Sequence, residues 1–142
     1  MNPFGNREYR RSRPRDQRRQ LDVNTAKSFL KGEECNHQEL DRFSKDLGGN
    51  VRTSQIRQFY SKVLQLKRKL DSKGSMKRED LQRELLLLKA FANYQYGRKI
   101  AEQFYRVSAT LLETVLDDDS EKRFQNFFTL LQLVVSHSKS GG

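Results

Sequence analysis

Beyond Pro14 the chain contains no proline. No position in residues 15–142 therefore lacks the backbone N–H or carries the ring that breaks a helix interior. Leucine outnumbers valine plus isoleucine eighteen to nine from Leu21 onward, and leucine loses less rotamer freedom in a helix than a β-branched side chain. No stretch sustains the apolar–polar alternation of a half-buried strand. The fold class that follows is all-α. At 142 residues the chain has the size of one domain, able to bury a core without disulfides or metals.

Five helices can be placed along it. Asn36 caps a short helix through Leu47, stopped by Gly48 and Gly49. Thr53 or Ser54 opens a second, in which Ile56, Phe59, Val63, Leu66 and Leu70 recur at intervals of three and four and form one buried stripe. Gly74 ends it. Ser75 with Glu79 and Asp80 begins a third, its acids placed where the helix dipole favours them; its apolar positions include Leu81, Leu85, Leu88, Phe91 and Ala92, and it runs towards Gly97. A fourth covers about Lys99 to Leu116. Asp117 to Ser120 supplies the cap of a fifth, on which Phe124, Phe127, Phe128, Leu131, Val134 and Val135 face inward. The expected architecture is a compact bundle of about five helices.

The charge is uneven. Twenty-eight Lys and Arg against eighteen Asp and Glu leave a formal +10, and half of it falls in Met1–Gln20. That segment holds seven arginines, Glu8, Asp16 and both prolines, with Phe4 and Tyr9 as its large apolar side chains. So little apolar surface cannot offset the entropy of ordering, so residues 1–20 read as a disordered Arg-rich arm and residues 21–142 as the helical domain. The overall balance favours a polyanionic partner, nucleic acid before a membrane surface. No apolar run reaches the length of a membrane span, no secretory signal opens the chain, and Cys35 stands alone among cysteines. The cytoplasm is the expected compartment.

The residues that carry chemistry are sparse. His37, His137 and Cys35 do not make a metal-ligand pattern. Asp117, Asp118 and Asp119 lack the glycine and distal glutamate of a calcium loop. A two-histidine ribonuclease would need His37 and His137 to meet, and His137 reads as part of a frayed Ser- and Gly-rich end. No Gly-rich phosphate loop is present; Gly48-Gly49-Asn50 is a turn. The expectation is a protein with no active site, metal or cofactor.

Two acid-free stretches stand out. Between Leu47 and Leu70 there is no Asp or Glu, while Arg52, Arg57, Lys62, Lys67, Arg68 and Lys69 contribute six positive charges. Helices that need only solubility interleave signs, since like charges one turn apart repel. On a helical wheel Arg57, Ser61 and Arg68 lie away from the apolar stripe, flanked by Lys62, Lys69 and Gln55. Such a row suits phosphate and sugar contacts that hold a strand without reading its sequence. The second stretch, Leu85 to Ala101, carries Lys89, Asn93, Tyr94, Gln95, Tyr96, Arg98 and Lys99. Its tyrosines either stack on bases or sit half-buried in the core, the latter expected for at least one of Tyr94 and Tyr96. Tyr60, Phe104 and Tyr105 are expected in the core.

Three segments resemble a known family. Thr53-Ser54-Gln55-Ile56-Arg57 with Phe59-Tyr60 is similar to the first signature of the small subunit of the type III-A CRISPR–Cas interference (Csm) complex. Leu87-Leu88-Lys89-Ala90-Phe91-Ala92-Asn93-Tyr94-Gln95-Tyr96-Gly97-Arg98 resembles the second, with Asn93 where a small residue is more usual. Phe124-Gln125-Asn126-Phe127-Phe128 through His137 and Lys139 resembles the C-terminal helix. Order and spacing agree over about Val51 to Lys139; the Arg-rich arm has no counterpart. The resemblance implies a non-catalytic subunit that stacks in several copies beside the backbone subunit carrying the guide RNA. It lines the path of single-stranded target RNA, with other copies of itself and the backbone and large subunits as partners and no membrane. Sequence recognition is left to guide–target pairing. The match makes Arg57 and Arg98 the foremost RNA contacts, with Arg52, Lys62 and Lys89 next; Gln55, Arg68 and Lys69 join them on helical geometry. The acidic segment Asp117–Glu121 is expected to meet a basic surface of a neighbouring copy. Competing readings are the small subunit of a type III-B complex, a free-standing helical nucleic-acid-binding regulator anchored by the arm, and, last, a nuclease.

Overall fold

A computed structural model describes residues 22–73 and 76–139. The Arg-rich arm, Gly74 and Ser75 lie outside the described residues. Among those described there are six helices: α1 (Val23–Leu30), α2 (His37–Gly48), α3 (Thr53–Lys73), α4 (Arg78–Gly97), α5 (Glu102–Asp117) and α6 (Ser120–Ser136). The all-α class holds, and α2 to α6 are the five expected helices.

The additional helix, α1, is specified locally at both ends. Asp22 accepts hydrogen bonds from the Thr25 hydroxyl (2.6 Å) and the Thr25 N–H (3.2 Å), satisfying a donor of the first turn. The Thr25 hydroxyl, then its N–H, hold the Asp22 carboxyl below its usual range. At the other end Gly32 adopts φ 78°, its N–H donating to the Phe29 carbonyl while Glu33 N–H donates to Ser28. That paired closure needs a left-handed residue, for which glycine is suited. Ala26 and Leu30 are buried.

Asn36 caps α2 as expected, its side-chain oxygen accepting from the N–H groups of Gln38 (2.8 Å) and Glu39 (3.3 Å). The helix ends at Gly49 with an ordinary right-handed φ of −66°. The work of the glycine pair is instead at Gly48, where a Cβ would overlap the Val134 carbonyl oxygen of α6. Here two helix backbones come closer than any side chain allows.

One apolar core joins the elements. The stripe Ile56, Phe59, Val63, Leu66 and Leu70 is buried along α3, as are Leu81, Leu85, Leu88 and Ala92 of α4 and Phe124, Phe127, Phe128, Leu131 and Val134 of α6. Its centre is aromatic: Phe59, Phe104 and Tyr105 meet edge-to-face at 5.0–5.7 Å, the arrangement ring quadrupoles favour. The Tyr105 hydroxyl donates to the Gln55 carbonyl at 2.7 Å, tying α5 to the first turn of α3. Burial raises the Tyr105 phenol pKa above its ordinary value.

Three local expectations are corrected. The α5 helix begins at Glu102 rather than near Lys99, because Lys99 (φ 63°) and Ala101 (φ 42°) are left-handed. No side chain of Asp117–Ser120 caps α6: Asp119 precedes it at φ 46° without a side-chain cap, and the Ser120 hydroxyl donates back to the Val115 carbonyl at 2.8 Å. The chain after α6 is not frayed as far as Lys139. Lys139 exchanges backbone hydrogen bonds with Val51 and Thr53, both 2.9 Å, and the Ser138 and Thr53 hydroxyls lie 2.8 Å apart.

Candidate nucleic-acid interface

The long helix α3 buries one face and exposes two rows. At about 100° per residue, Arg57, Ser61 and Arg68 form an outward row, and all three are exposed. Gln58, Lys62, Gln65 and Lys69 form a second row beside α4. The two helices run antiparallel, and between them lies a groove of about 450 Å³. Its α3 wall is Lys62, Gln65, Leu66 and Lys69; its α4 wall is Glu84, Leu87, Leu88, Ala90, Phe91 and Tyr94.

Two cations sit against rings that line the groove. The Lys62 ammonium lies 5.3 Å from the Phe91 ring centroid, and the Arg98 guanidinium 5.5 Å from that of Tyr94, both within cation–π range. Glu84 faces Lys69 at 3.6 Å. Among the described residues no carboxylate comes within ion-pair distance of Arg52, Arg57, Lys62, Arg68 or Arg98.

The remaining expected residues are dispersed. Gln55 turns its side-chain oxygen to the Arg52 N–H (3.0 Å), so it closes the first turn of α3 as the reciprocal half of a capping box does. Lys89 lies on the other flank of α4, paired with Glu113 of α5 at 3.2 Å. Both pairs that neutralise a basic residue of α3 draw their acid from outside its acid-free run, Asp71 for Lys67 and Glu84 for Lys69. Arg52, Arg57 and Arg98 belong to one end of the molecule, since the Tyr105 hydroxyl donates to Gln55 beside the first two and the side chain of Gln95, three residues before Arg98, lies near that same hydroxyl.

Of the tyrosines, Tyr105 is buried as expected, but the expectation that at least one of Tyr94 and Tyr96 sits in the core is corrected. Neither Tyr94 nor Tyr96 enters the core: they are 61% and 42% exposed. The reason is the end of α4, where Gln95 is the inward residue and the two tyrosines flank it about 100° to either side. Tyr60 is half-buried, stacked on Phe128 at 6.4 Å.

Elsewhere the acidic segment is partly compensated within the chain: the Arg123 guanidinium approaches Asp117 and Asp118 at 4.0 Å and donates to the Thr114 carbonyl at 2.8 Å. His37 opens α2, whereas His137 faces Asp41 at 3.8 Å. Among the described residues no helix is long and apolar enough to cross a membrane, and no three His, Cys, Asp or Glu side chains gather as a metal site would require.

Compared with known proteins, the chain has no match among curated relatives or solved structures. Against protein families, residues 34–142 match the family described as Csm2 Type III-A. The match includes α2 through α6 and begins upstream of the three segments whose resemblance the sequence revealed. The chain belongs to the Csm2 type III-A family, the small subunits of type III-A Csm complexes.

Proposed function

We propose that this chain is a non-catalytic RNA-binding subunit of its Csm complex, acting in the cytoplasm in antiviral defence. Several copies stack beside the guide-RNA backbone and hold target and guide RNA through sequence-independent phosphate contacts. Arg57 and Arg98 are the principal contacts, with Arg52, Lys62, Arg68, Lys69, Lys89 and Gln55 around them. Residues 1–20 act as a basic arm on the helical domain of residues 21–142.

The observation that carries this reading is the pairing pattern on α3 and the end of α4. Among the described residues Arg52, Arg57, Lys62, Arg68 and Arg98 are exposed and stand without a carboxylate partner, although the chain holds eighteen acidic residues that such groups ordinarily recruit. A polyanion supplies what the fold withholds, and the gain comes from released counterions rather than base recognition. The other partners proposed are further copies of the chain and the backbone and large subunits; no membrane or cofactor is involved.

The test is a salt titration of binding to labelled single-stranded RNAs of unrelated sequence, with the full chain and with Arg57→Ala/Arg98→Ala. Affinity should be similar across sequences and fall steeply with salt. The double variant should bind more weakly on every sequence, with a log–log salt slope shallower by about 1.4, or about 0.7 per phosphate contact on a single strand. A variant that binds like the parent removes the helical rows as the RNA surface.

A further inference from the structure

The two walls of the α3–α4 groove differ in kind. On the α4 wall Leu87 and Tyr94 are each 61% exposed and Phe91 half-buried, although apolar surface of this size gains free energy by leaving water. On the α3 wall stand Lys62, Gln65 and Lys69. An apolar helix of a partner protein laid into this groove would press the lysines against its own apolar face and strip their water without returning a charge. A nucleic-acid duplex would satisfy the lysines but keep its base faces stacked inside itself, leaving Leu87 and Tyr94 wet. A single strand meets both walls at once, with bases against rings and phosphates on ammonium groups.

We propose that this groove takes an unpaired nucleobase of an RNA strand, stacked on Tyr94 with Leu87 and Phe91 beside it, while Lys62 and Lys69 hold the adjoining phosphates. The proposal rests on the RNA-binding reading above and adds to it a base-contacting site that prefers single strands and is indifferent to base identity. Arg98 positions the ring from one side, its guanidinium 5.5 Å from the Tyr94 centroid. The turn that carries it is held in place: Arg98 N–H donates to the carbonyls of Tyr94 and Gln95, and Ile100 N–H to Gln95. The left-handed Lys99 and Ala101 follow, a conformation that L side chains adopt at a cost. Glu84, the one acid among the described residues lining the groove, is engaged by Lys69 at its far end.

The experiment compares three labelled probes on the full chain: a mixed-sequence single-stranded RNA, the same strand with abasic positions, and the same sequence as a perfect duplex. The parent should bind the intact strand more tightly than either of the others. Tyr94→Ala should lose roughly five- to hundred-fold on the intact strand, bind the abasic strand as the parent does, and keep its salt slope, because no phosphate contact is removed. Tyr94→Phe should behave as the parent. Equal affinity of Tyr94→Ala and parent for the intact strand, with Arg57→Ala/Arg98→Ala still impaired, would overturn base stacking and leave phosphate binding standing. No binding of any probe by the parent would remove both readings. A Tyr94→Ala variant that changes the sedimenting species but not RNA affinity would overturn the proposal in favour of a contact between copies.

Discussion

Tyr105 shows how much one hydroxyl can fix at the residue scale. Its ring completes the aromatic centre with Phe59 and Phe104, and its hydroxyl holds the Gln55 carbonyl at 2.7 Å, beside Arg52 and Arg57. Tyr105→Phe should cost about 1 kcal/mol, the net worth of a typical hydrogen bond, measured by denaturant unfolding at neutral pH. The phenol's pKa is raised by burial, so the neutral form is favoured in the folded state. That contribution is full below the ordinary tyrosine value of about 10 and lost as pH rises through the higher folded value. Stability of the parent should therefore decline faster above about pH 10 than that of Tyr105→Phe. Equal decline in both would show that the phenol is not held neutral by the fold. Asp22 has the opposite sign: its lowered carboxyl stabilises α1 above the usual carboxylate range, and that contribution fades as pH falls through the folded value.

At the scale of elements, the two helix-terminal glycines make a matched pair. Gly48 of α2 is buried, and an added Cβ would meet backbone of α6 rather than a side chain able to rotate away. Gly48→Ala should lower stability by about 2–3 kcal/mol, as overpacking against a rigid neighbour does. Gly97 closes α4 with nothing within 4 Å of the position of a Cβ and without positive φ. Gly97→Ala should raise stability by about 0.4–1 kcal/mol through a less mobile unfolded chain. Thermal unfolding of both variants decides the point, since both sites end a predicted helix and composition alone treats them alike. The helix missed by the sequence, α1, had its signals in Asp22 with Thr25 and in Gly32. With eight residues its apolar pattern is too brief to separate from a loop, and it is stable only because Ala26 and Leu30 find a core to enter.

For the whole molecule, segments far apart in sequence are tied together. Lys139 bridges Val51 and Thr53, and Thr53 also donates its hydroxyl to the Lys139 carbonyl at 3.1 Å. The C-terminal segment thus occupies the start of α3, the helix that carries the exposed arginine row. Truncation after His137 frees the Thr53 N–H and hydroxyl from these partners. Hydrogen exchange should then quicken in the first turn of α3 while the buried centre around Phe59 stays protected; unchanged exchange there would show that the tie contributes nothing. The truncated chain should also bind RNA more weakly, because Arg52 and Arg57 sit on the turn that loosens.

The sequence by itself determined the helical class, the five principal helices, their buried faces and the family, because these depend on periodicity, capping and local motif order. The family resemblance is what singles out Arg57 and Arg98 as proposed RNA contacts, and both also stand in acid-free stretches visible along the chain. Only the tertiary structure decided which basic residues remain unpaired: Lys69 and Lys89 meet Glu84 and Glu113 from other segments, and no reading along one helix can see them. It alone placed Tyr94 and Tyr96 outside the core, since the inward turn at the end of α4 belongs to Gln95. The groove exists for the same reason: helix faces are written in the sequence, but which two come to stand side by side is set by the packing of all of them together.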